Sequence, residues 1–523
     1  MEVITEKNPL PFITGTICAH NCMSKCTRNF YETPVHIREM KLKAAENGYE
    51  ALLEKLPVPA VTKAGKAAVI GGGPAGMAAA YFLRKGGMEV TLFEAKESLG
   101  GVVRHVIPPF RISEDAIEKD AEILRKMQVD IRCNTKVESL EELKKQGYTK
   151  IVLAVGAPVQ GSLKLESGMP KNALEFLAEF KQTDGKVSLG KHVVVIGGGN
   201  TAMDTARAAK RNAGVEHVYL IYRRTRRYMP ADEEELVMAL EDGVEFKELL
   251  SPVKLENGQL FCKVMQLSDY DVSGRRGVTE TGETVWVPAD TVIAAVGEKV
   301  PTDWYQANGL AVSEKGRLYV DEKTLKTSDD NVYAAGDGLY GPATVVEAIR
   351  DGRKVAEAIA GEVLARDFDK LAEEEKVYAK RGVLKEEQKE TKEAGRCLGC
   401  STICENCVEV CPNRANIAIQ VPGMEKHQII HVDYLCNECG NCKSFCPYSS
   451  APYLDKFTLF ETEADMENSK NQGFAVLDQE TRRCKVRFFG KTFIWEPEKP
   501  AALPDGLGRM IETVCRDYSY LIR

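Results

Sequence analysis

VIGGGPAGMAAAYF, residues Val69–Phe82, decides the fold. A β-branched run, Ala67–Ile70, leads into Gly71, Gly73 and Gly76 in G-x-G-x-x-G spacing, and a helical stretch over Ala75–Lys85 follows at once. In that setting the first glycine permits a tight turn and the second lets a pyrophosphate approach the backbone. The third lets helix and strand pack closely, and the amides at the helix N-terminus face the phosphates. Glu94 ends the next strand, Val90–Glu94, 23 residues after Gly71, where an acid accepts ribose hydroxyls. A glycine-rich turn alone says little. Strand, helix, spacing and acid together mark a nucleotide site.

The pattern recurs as VIGGGNTAMDTARA at Val195, with first glycines 126 residues apart. That spacing is too long for a solenoid and suits two separate dinucleotide-binding folds. The second copy has Gly197, Gly199 and Ala202, and its next strand, Val218–Tyr222, ends in Arg223, Arg224, Arg226 and Arg227 with no acid. An arginine there accommodates a 2′-phosphate, which points to NADPH, with NADH the alternative. Between Lys66 and Leu364 short apolar runs (Ile151–Val155, Val193–Ile196 and Thr291–Val296 among them) alternate with helical segments, as parallel α/β domains do.

The chain has 16 cysteines, three at Cys18, Cys22 and Cys26 and nine between Cys397 and Cys446. Tight clusters in a reducing compartment bind metal or do redox chemistry more often than they form disulfides. Cys436-x2-Cys439-x2-Cys442-x3-Cys446-Pro447 is the bacterial ferredoxin run, whose fourth cysteine serves the other cluster. Cys404-x2-Cys407-x3-Cys411-Pro412 supplies most of a second run, with Cys400 as its first ligand across a one-residue bulge. The reading assigns Cys400, Cys404, Cys407 and Cys446 to one [4Fe–4S] cluster and Cys411, Cys436, Cys439 and Cys442 to the other, with Cys397 the substitute for Cys400. Two runs ending in Cys-Pro disfavour zinc, the rival for any lone CxxC pair.

These motifs together resemble the small subunit of glutamate synthase and its relatives, including the reductase half of dihydropyrimidine dehydrogenase. The resemblance covers about residues 15–360 and includes Gly100–Gly101, IPPFRIS at Ile107–Ser113, YRR at Tyr222–Arg224, MPADEEE at Met229–Glu235 and AAGDGLYGPATVVEAI at Ala334–Ile349. It implies FAD in the first fold and NADPH in a second fold inserted into it. The FAD contacts it implies are Gly71, Gly73, Pro74, Ala75, Gly76, Glu94, Gly100, Gly101, Arg111 and Gly156. Gly336 and Asp337 would meet the ribityl–phosphate arm, and Thr344 and Val345 would lie near the flavin ring. On the NADPH side it implies Gly197, Gly199, Asn200, Thr201, Ala202, Arg223, Arg224, Arg227 and Gly297. Cys18-x3-Cys22-x3-Cys26 matches the family's cysteine-rich N-terminal module; three thiolates need a fourth ligand, and Glu39 is the nearest candidate of a type relatives use. The C-terminal block, to roughly residue 490, resembles the C-terminal half of bacterial selenate reductase iron–sulfur subunits.

No cysteine pair follows Gly100–Gly101, so disulfide reduction beside the flavin is not expected. The net charge of −7 disfavours nucleic acid, no apolar run approaches the ~18 residues of a membrane span, and MEVITEKNPL is no secretory leader. The expected compartment is cytoplasmic. At 523 residues, 44% apolar and 28% charged, the chain suits an ordinary globular protein of roughly three to four domains. The expected plan is α/β. Residues 1–60 form a helical Fe–S module, 61–185 the first part of the FAD domain, and 186–300 the NAD(P) domain. Residues 301–365 complete the FAD domain, 366–396 form a charged linker, 397–455 a 2[4Fe–4S] ferredoxin-like domain and 456–523 an extension. The expected function is an electron-transfer flavoprotein subunit. Hydride passes from NADPH to FAD, and single electrons pass through two to three clusters to a partner redox subunit or ferredoxin, in either direction. The alternatives are a self-contained reductase of a small substrate and a structural or assembly subunit.

Overall fold

The structure is a computed structural model describing residues 1–24, 26, 33–270, 276–365, 405–424, 427–446, 450–497 and 503–523. The charged segment 366–396 and Cys397, Cys400 and Cys404 lie outside them. The chain divides into two compact units, Met1–Ala19 with Lys41–Phe368, and His20–Met40 with Asp369–Arg523.

In the first unit, helices α1 (Pro11–Ile17) and α2 (Ile37–Lys55) precede β1 (Lys66–Ile70), α3 (Pro74–Lys85) and β2 (Glu89–Phe93). Then come α4 (Glu114–Lys126), β3 (Asp130–Arg132) and β4 (Tyr148–Leu153). All of β1 except Lys66 is buried, as expected of a strand covered on both faces by helical crossovers. Ile70 stands opposite Phe93 on one side and Leu153 on the other, so three strand ends finish together beneath the glycine loop.

The residues read as a separate N-terminal module are not one. Leu10, Phe12 and Ile13 of the α1 region and Ala45, Tyr49 and Leu52 of α2 share the core of the first nucleotide fold. Asp120 of α4, wholly buried, accepts the Phe12 and Ile13 amides at 3.1 and 2.8 Å. It thereby satisfies two of the orphan donors that every helix start leaves. Burial pushes its carboxyl well up against those two bonds.

The second fold enters through β5 (Val159–Gln160), continues with β6 (Lys171–Asn172), α5 (Ala173–Gln182), β7 (His192–Ile196), α6 (Asn200–Arg211), β8 (His217–Tyr222), α7 (Glu233–Glu241) and β9 (Glu245–Glu248). Strands β10 (Leu250–Glu256), β11 (Gln259–Tyr270) and β12 (Arg276–Pro288) follow, then β13 (Thr291–Ala294), and β14 (Glu298–Lys299) leaves. The parallel sheet runs β6-β13-β7-β8-β9, and β10–β12 form an antiparallel sheet of their own. Strands β5 and β14 pair as a two-strand neck, which the Gly161 amide closes on the Gly297 carbonyl at 2.9 Å. The insertion thus begins near residue 161 rather than 186, because Phe176, Leu177 and Phe180 of α5 already belong to the second core. The chain then returns through β15 (Val332–Ala334) and α8 (Val345–Ala360), completing the first sheet as β15-β4-β1-β2-β3.

In the second unit β16 (Asn416–Ile419), β17 (Gln428–Val432), β18 (Thr458–Phe460), β19 (Gly473–Asp478), β20 (Arg483–Phe488) and β21 (Lys491–Trp495) form one sheet in chain order. Helix α9 (Asp505–Asp517) adds Ile511 and Val514 to its core. The sheet crosses position 455: Val432, between the two cysteine runs, pairs with Leu459. The expected ferredoxin-like segment and the extension share one sheet and one core.

Candidate functional site: two nucleotide cradles and a cysteine-lined cavity

Gly71 turns the chain out of β1 at φ +106°, its amide donating to Phe93 O at 2.8 Å. A Cβ on Gly71 would meet the Ala154 carbonyl at 2.3 Å, and one on Gly76 would meet the Gly71 carbonyl at 1.9 Å. Only glycine permits those approaches. On Gly73 the nearest atom would be Gly101 Cα at 3.8 Å. Gly73 and the Gly100–Gly101 loop, docked through Gly100 N to Gly72 O at 2.8 Å, thus bound an open cradle. It lies at the start of α3, whose first residues are Pro74 and Ala75 and whose N-cap Gly73 offers no side-chain bond. The α3 amides ahead of Met77, whose N already donates to Gly73 O at 2.9 Å, are the donors a helix start offers an anion.

Glu94 is buried, its Oε2 accepting from Gly72 N at 2.7 Å and its Oε1 from Lys96 N at 2.8 Å. Its remaining lone pairs are the ones a ribose could use. Gly336, at φ +70°, lies so near α3 that a Cβ would meet Ala75 Cβ at 2.7 Å, and its amide is held by buried Asp351 at 3.3 Å. Burial raises the Asp337 carboxyl to about 6, against a hydrogen bond from Ala343 N. Thr344 caps α8 in a reciprocal box with Glu347, so Val345 starts that helix at a fixed place. Gly156 has open space where a Cβ would point. Arg111 is the exception among the expected FAD residues. Its Nη1 lies 2.7 Å from Asp204 Oδ1 and 2.5 Å from Glu235 Oε2, both on the second fold.

The second cradle has the same construction. A Cβ on Gly197 would meet the Ala295 carbonyl at 2.5 Å, whereas Gly199 and Gly297 face open space. Ala202 stands where the third glycine would, wholly buried, and its amide donates to Gly199 O at 2.9 Å. Asn200 and Thr201 open α6; Asn200 exchanges hydrogen bonds with Asp232, tying the MPADEEE loop to the glycine loop. Of the arginines after β8, Arg223 and Arg227 are exposed with no partner among the described residues. Arg224 donates Nε to the Arg276 carbonyl at 2.8 Å, and Arg226 pairs with Glu233 at 2.9 Å.

Cys411, Cys436, Cys439 and Cys442 line one small cavity together with Asn413, Asn416 and Tyr453. Cys411 Sγ accepts from Ala415 N at 3.2 Å and Cys436 Sγ from Glu438 N at 3.3 Å, the kind of bond that tunes an iron–sulfur cluster. Among the described residues no group of His, Cys, Asp and Glu converges on a single metal ion. Four thiols around a cavity fit instead a cluster that spreads its ligands over several irons. Cys407 and Cys446 are described without their expected mates Cys400 and Cys404. Behind Cys407, Asn416 donates Nδ2 to its carbonyl at 3.0 Å and accepts from His431 Nδ1 at 3.0 Å; burial holds His431 neutral, at about 4. At the N-terminus, Lys41 Nζ approaches Cys18 Sγ at 3.7 Å, while Cys22 and Cys26 belong to the second unit. Glu39 is half exposed; its Oε1 accepts from Arg38 at 3.4 Å, and its Oε2 lies 3.8 Å from His36 Nδ1 without a hydrogen bond among the described residues.

Two glycine-loop folds, one threaded into the other through a neck of two strands, define an NAD(P)H-dependent oxidoreductase. The chain belongs to the pyridine nucleotide-disulphide oxidoreductase family, which it matches over residues 65–352. It is 39% identical over 508 residues to YgfK of Escherichia coli (strain K12), named only as an oxidoreductase, covering 93% of this chain and 48% of that protein. The chain therefore spans about half the length of this relative. It is 34% identical to the NADPH-Fe(3+) oxidoreductase subunit beta of Geobacter sulfurreducens, over 69% of this chain and 59% of that one. To the glutamate synthase [NADPH] small chain of Escherichia coli it is 33% identical, over 68% of this chain and 82% of that one, in line with the resemblance read from the motifs. Within the first unit the only cysteines are Cys18, Cys133 and Cys262, with no adjacent pair. Cys262 is fully buried and its thiol is pushed up to about 12. No helix among the described residues is long and apolar enough to cross a membrane.

Proposed function

We propose that the chain is an electron-transfer subunit that takes hydride from NADPH and delivers single electrons to a partner redox protein. The observation that carries the reading is the cavity lined by Cys411, Cys436, Cys439 and Cys442 in a chain that also holds two nucleotide cradles. FAD in the first fold supplies the step from a two-electron hydride to single electrons, and the four-iron clusters supply one-electron acceptors. The Gly71–Gly76 turn and the α3 amides bind the FAD pyrophosphate, and Glu94 orients its ribose. Asp337 faces the ribityl arm, and Thr344 with Val345 fix the helix start beside the ring. Gly197 to Ala202 seat the second pyrophosphate, with Arg223 and Arg227 on the 2′-phosphate. Ala415 and Glu438 amides stabilise two of the cluster thiolates. A partner is supported by relatives named as subunits, among them the NADP(+)-dependent formate dehydrogenase subunit beta. Partner, terminal substrate and the fourth N-terminal ligand, Glu39, belong to the proposal.

Anaerobic iron and sulfide analysis tests it. Three clusters give about 12 iron atoms per chain, and Cys439→Ala is expected to lose about four of them, with flavin reduction by NADPH intact. Iron near zero in anaerobically purified chain refutes the electron-transfer reading; iron near eight removes the N-terminal cluster.

A further inference from the structure

Three side chains from three of the sequence motifs meet at one point: Arg111 of IPPFRIS, Asp204 at the end of GGGNTAMD and Glu235 at the end of MPADEEE. Arg111 comes from the first fold and the two acids come from α6 and α7 of the second. The three side chains are 15, 10 and 6% exposed. Arg207 lies 3.7 Å from Glu235 and, with Arg211, is held by Asp242. Three guanidiniums and three carboxylates therefore balance in one cluster. Burial raises Asp204 and Glu235, the Asp204 and Glu234 charges add to the rise at Glu235, and the arginines oppose it.

The backbone around Arg111 is a strap between two cores. Ile112, 2% exposed, belongs to the core of the first fold, whereas Phe110, two residues earlier, packs against the core of the second. The Phe110 ring lies beneath Arg211 at 4.2 Å and Arg207 at 5.0 Å, within cation–π range. Ser113 then caps α4, accepting from Ala116 N at 3.2 Å, which fixes the strap at its first-fold end. Lys181 of α5 adds a bond to the Arg104 carbonyl at 2.5 Å. A second link between the folds is the neck of β5 and β14, two residues each, and a neck of that kind is where domains hinge.

We propose that Arg111 is a positioning residue for hydride transfer: clamped by Asp204 and Glu235, it holds the nucleotide fold at the one angle that brings nicotinamide onto the flavin. This rests on the cofactor assignment above. The partners of the Arg111 guanidinium, Asp204 and Glu235, lie outside both glycine loops, so its removal should spare both affinities. Hydride transfer needs reacting atoms within roughly 3.5 Å, and a displacement of about 1 Å costs on the order of 100-fold in rate.

The test uses the full chain. In Arg111→Ala, FAD content and the Kd for NADPH should stay within about twofold, while the limiting rate of flavin reduction in stopped flow falls about 100-fold. Amide hydrogen exchange across Ile107–Ser113 and the neck should rise, a readout independent of turnover. Arg111→Lys, which keeps the charge but not the fork, should recover part of the rate and of the protection. Glu235→Gln, close in shape, should reproduce both effects more mildly, and it decides the matter if Arg111→Ala does not fold. Unchanged exchange and rate, or a loss confined to Kd, overturns the proposal. Wild-type chain whose flavin NADPH does not reduce refutes the cofactor assignment instead, and the exchange arm still reports whether the strap ties the folds.

Discussion

A guanidinium whose five donors are all unclaimed is the readiest to hold a phosphate. Arg226 is claimed by Glu233 and Arg224 by a carbonyl of β12, which leaves Arg223 and Arg227 exposed at the end of β8. Replacing both with alanine should weaken NADPH binding by about 1.5–3 kcal/mol, about 10- to 150-fold, and leave NADH almost unaffected. Equal losses for the two nucleotides in a fluorescence titration would show that these arginines do not read the 2′-phosphate. At Asp337 burial lifts the carboxyl to about 6, with Glu298, Glu347 and Asp351 adding to the rise and Ala343 N opposing it. The folded carboxyl is thus more easily protonated than the unfolded one, at about 3.9. Its contribution to stability is full below that value and is lost as pH rises through 6. The melting temperature of cofactor-free chain should fall between about pH 4 and 7 more steeply than that of Asp337→Asn. Parallel curves would assign the slope to other acids.

Among the elements, α8 approaches α3 closely at Gly352. A Cβ on Gly352 would lie 2.6 Å from the Ala75 carbonyl and 2.8 Å from Ala79 N, both backbone atoms that cannot swing away. Gly352→Val should therefore push α8 off α3, at the ~1–3 kcal/mol typical of overpacking, and shift both Gly336 and the Thr344 cap. A lowered melting temperature together with weaker FAD retention is the expected result; unchanged retention would separate this contact from the cradle. The strands before each glycine loop were legible in the sequence because a β-branched run followed by G-x-G admits few other structures. The neck is not legible, since two-residue strands carry no periodicity, and the sequence pattern therefore starts the inserted domain at 186. The β10–β12 sheet was missed for another reason: much of β12 is exposed, so its charges mask the alternation. The family resemblance implies Arg111 as a flavin contact. Nothing in the chain order announces that it turns toward acids 93 and 124 residues later.

For the whole molecule, the arrangement of cores predicts which functions can be separated. Residues Met1–Ala19 and Lys41–Phe368 form one unit with both nucleotide folds, and every element of the two cradles lies inside it. The cysteine-lined cavity lies in the other unit, whose core runs from Ile419 to Leu521. Shortening the chain only to residue 455 would cut between β17 and β18, which are hydrogen-bonded neighbours, and should remove Leu459 and expose its partner Val432. That variant should aggregate or lose its clusters although every ferredoxin-type cysteine is present, whereas a stop at about residue 390 removes that sheet entirely. The shorter chain should keep FAD and reduce artificial dyes with NADPH, because hydride transfer needs only the two nucleotide folds. It should fail to reduce ferredoxin or a native partner. The decisive comparison sets stopped-flow flavin reduction beside steady-state partner reduction for the 390 and 455 truncations and for Cys439→Ala. Full-rate electron delivery by the 390 truncation would place the C-terminal clusters off the pathway. A stable, iron-replete 455 truncation would show that the cysteine runs do not depend on the sheet built after them.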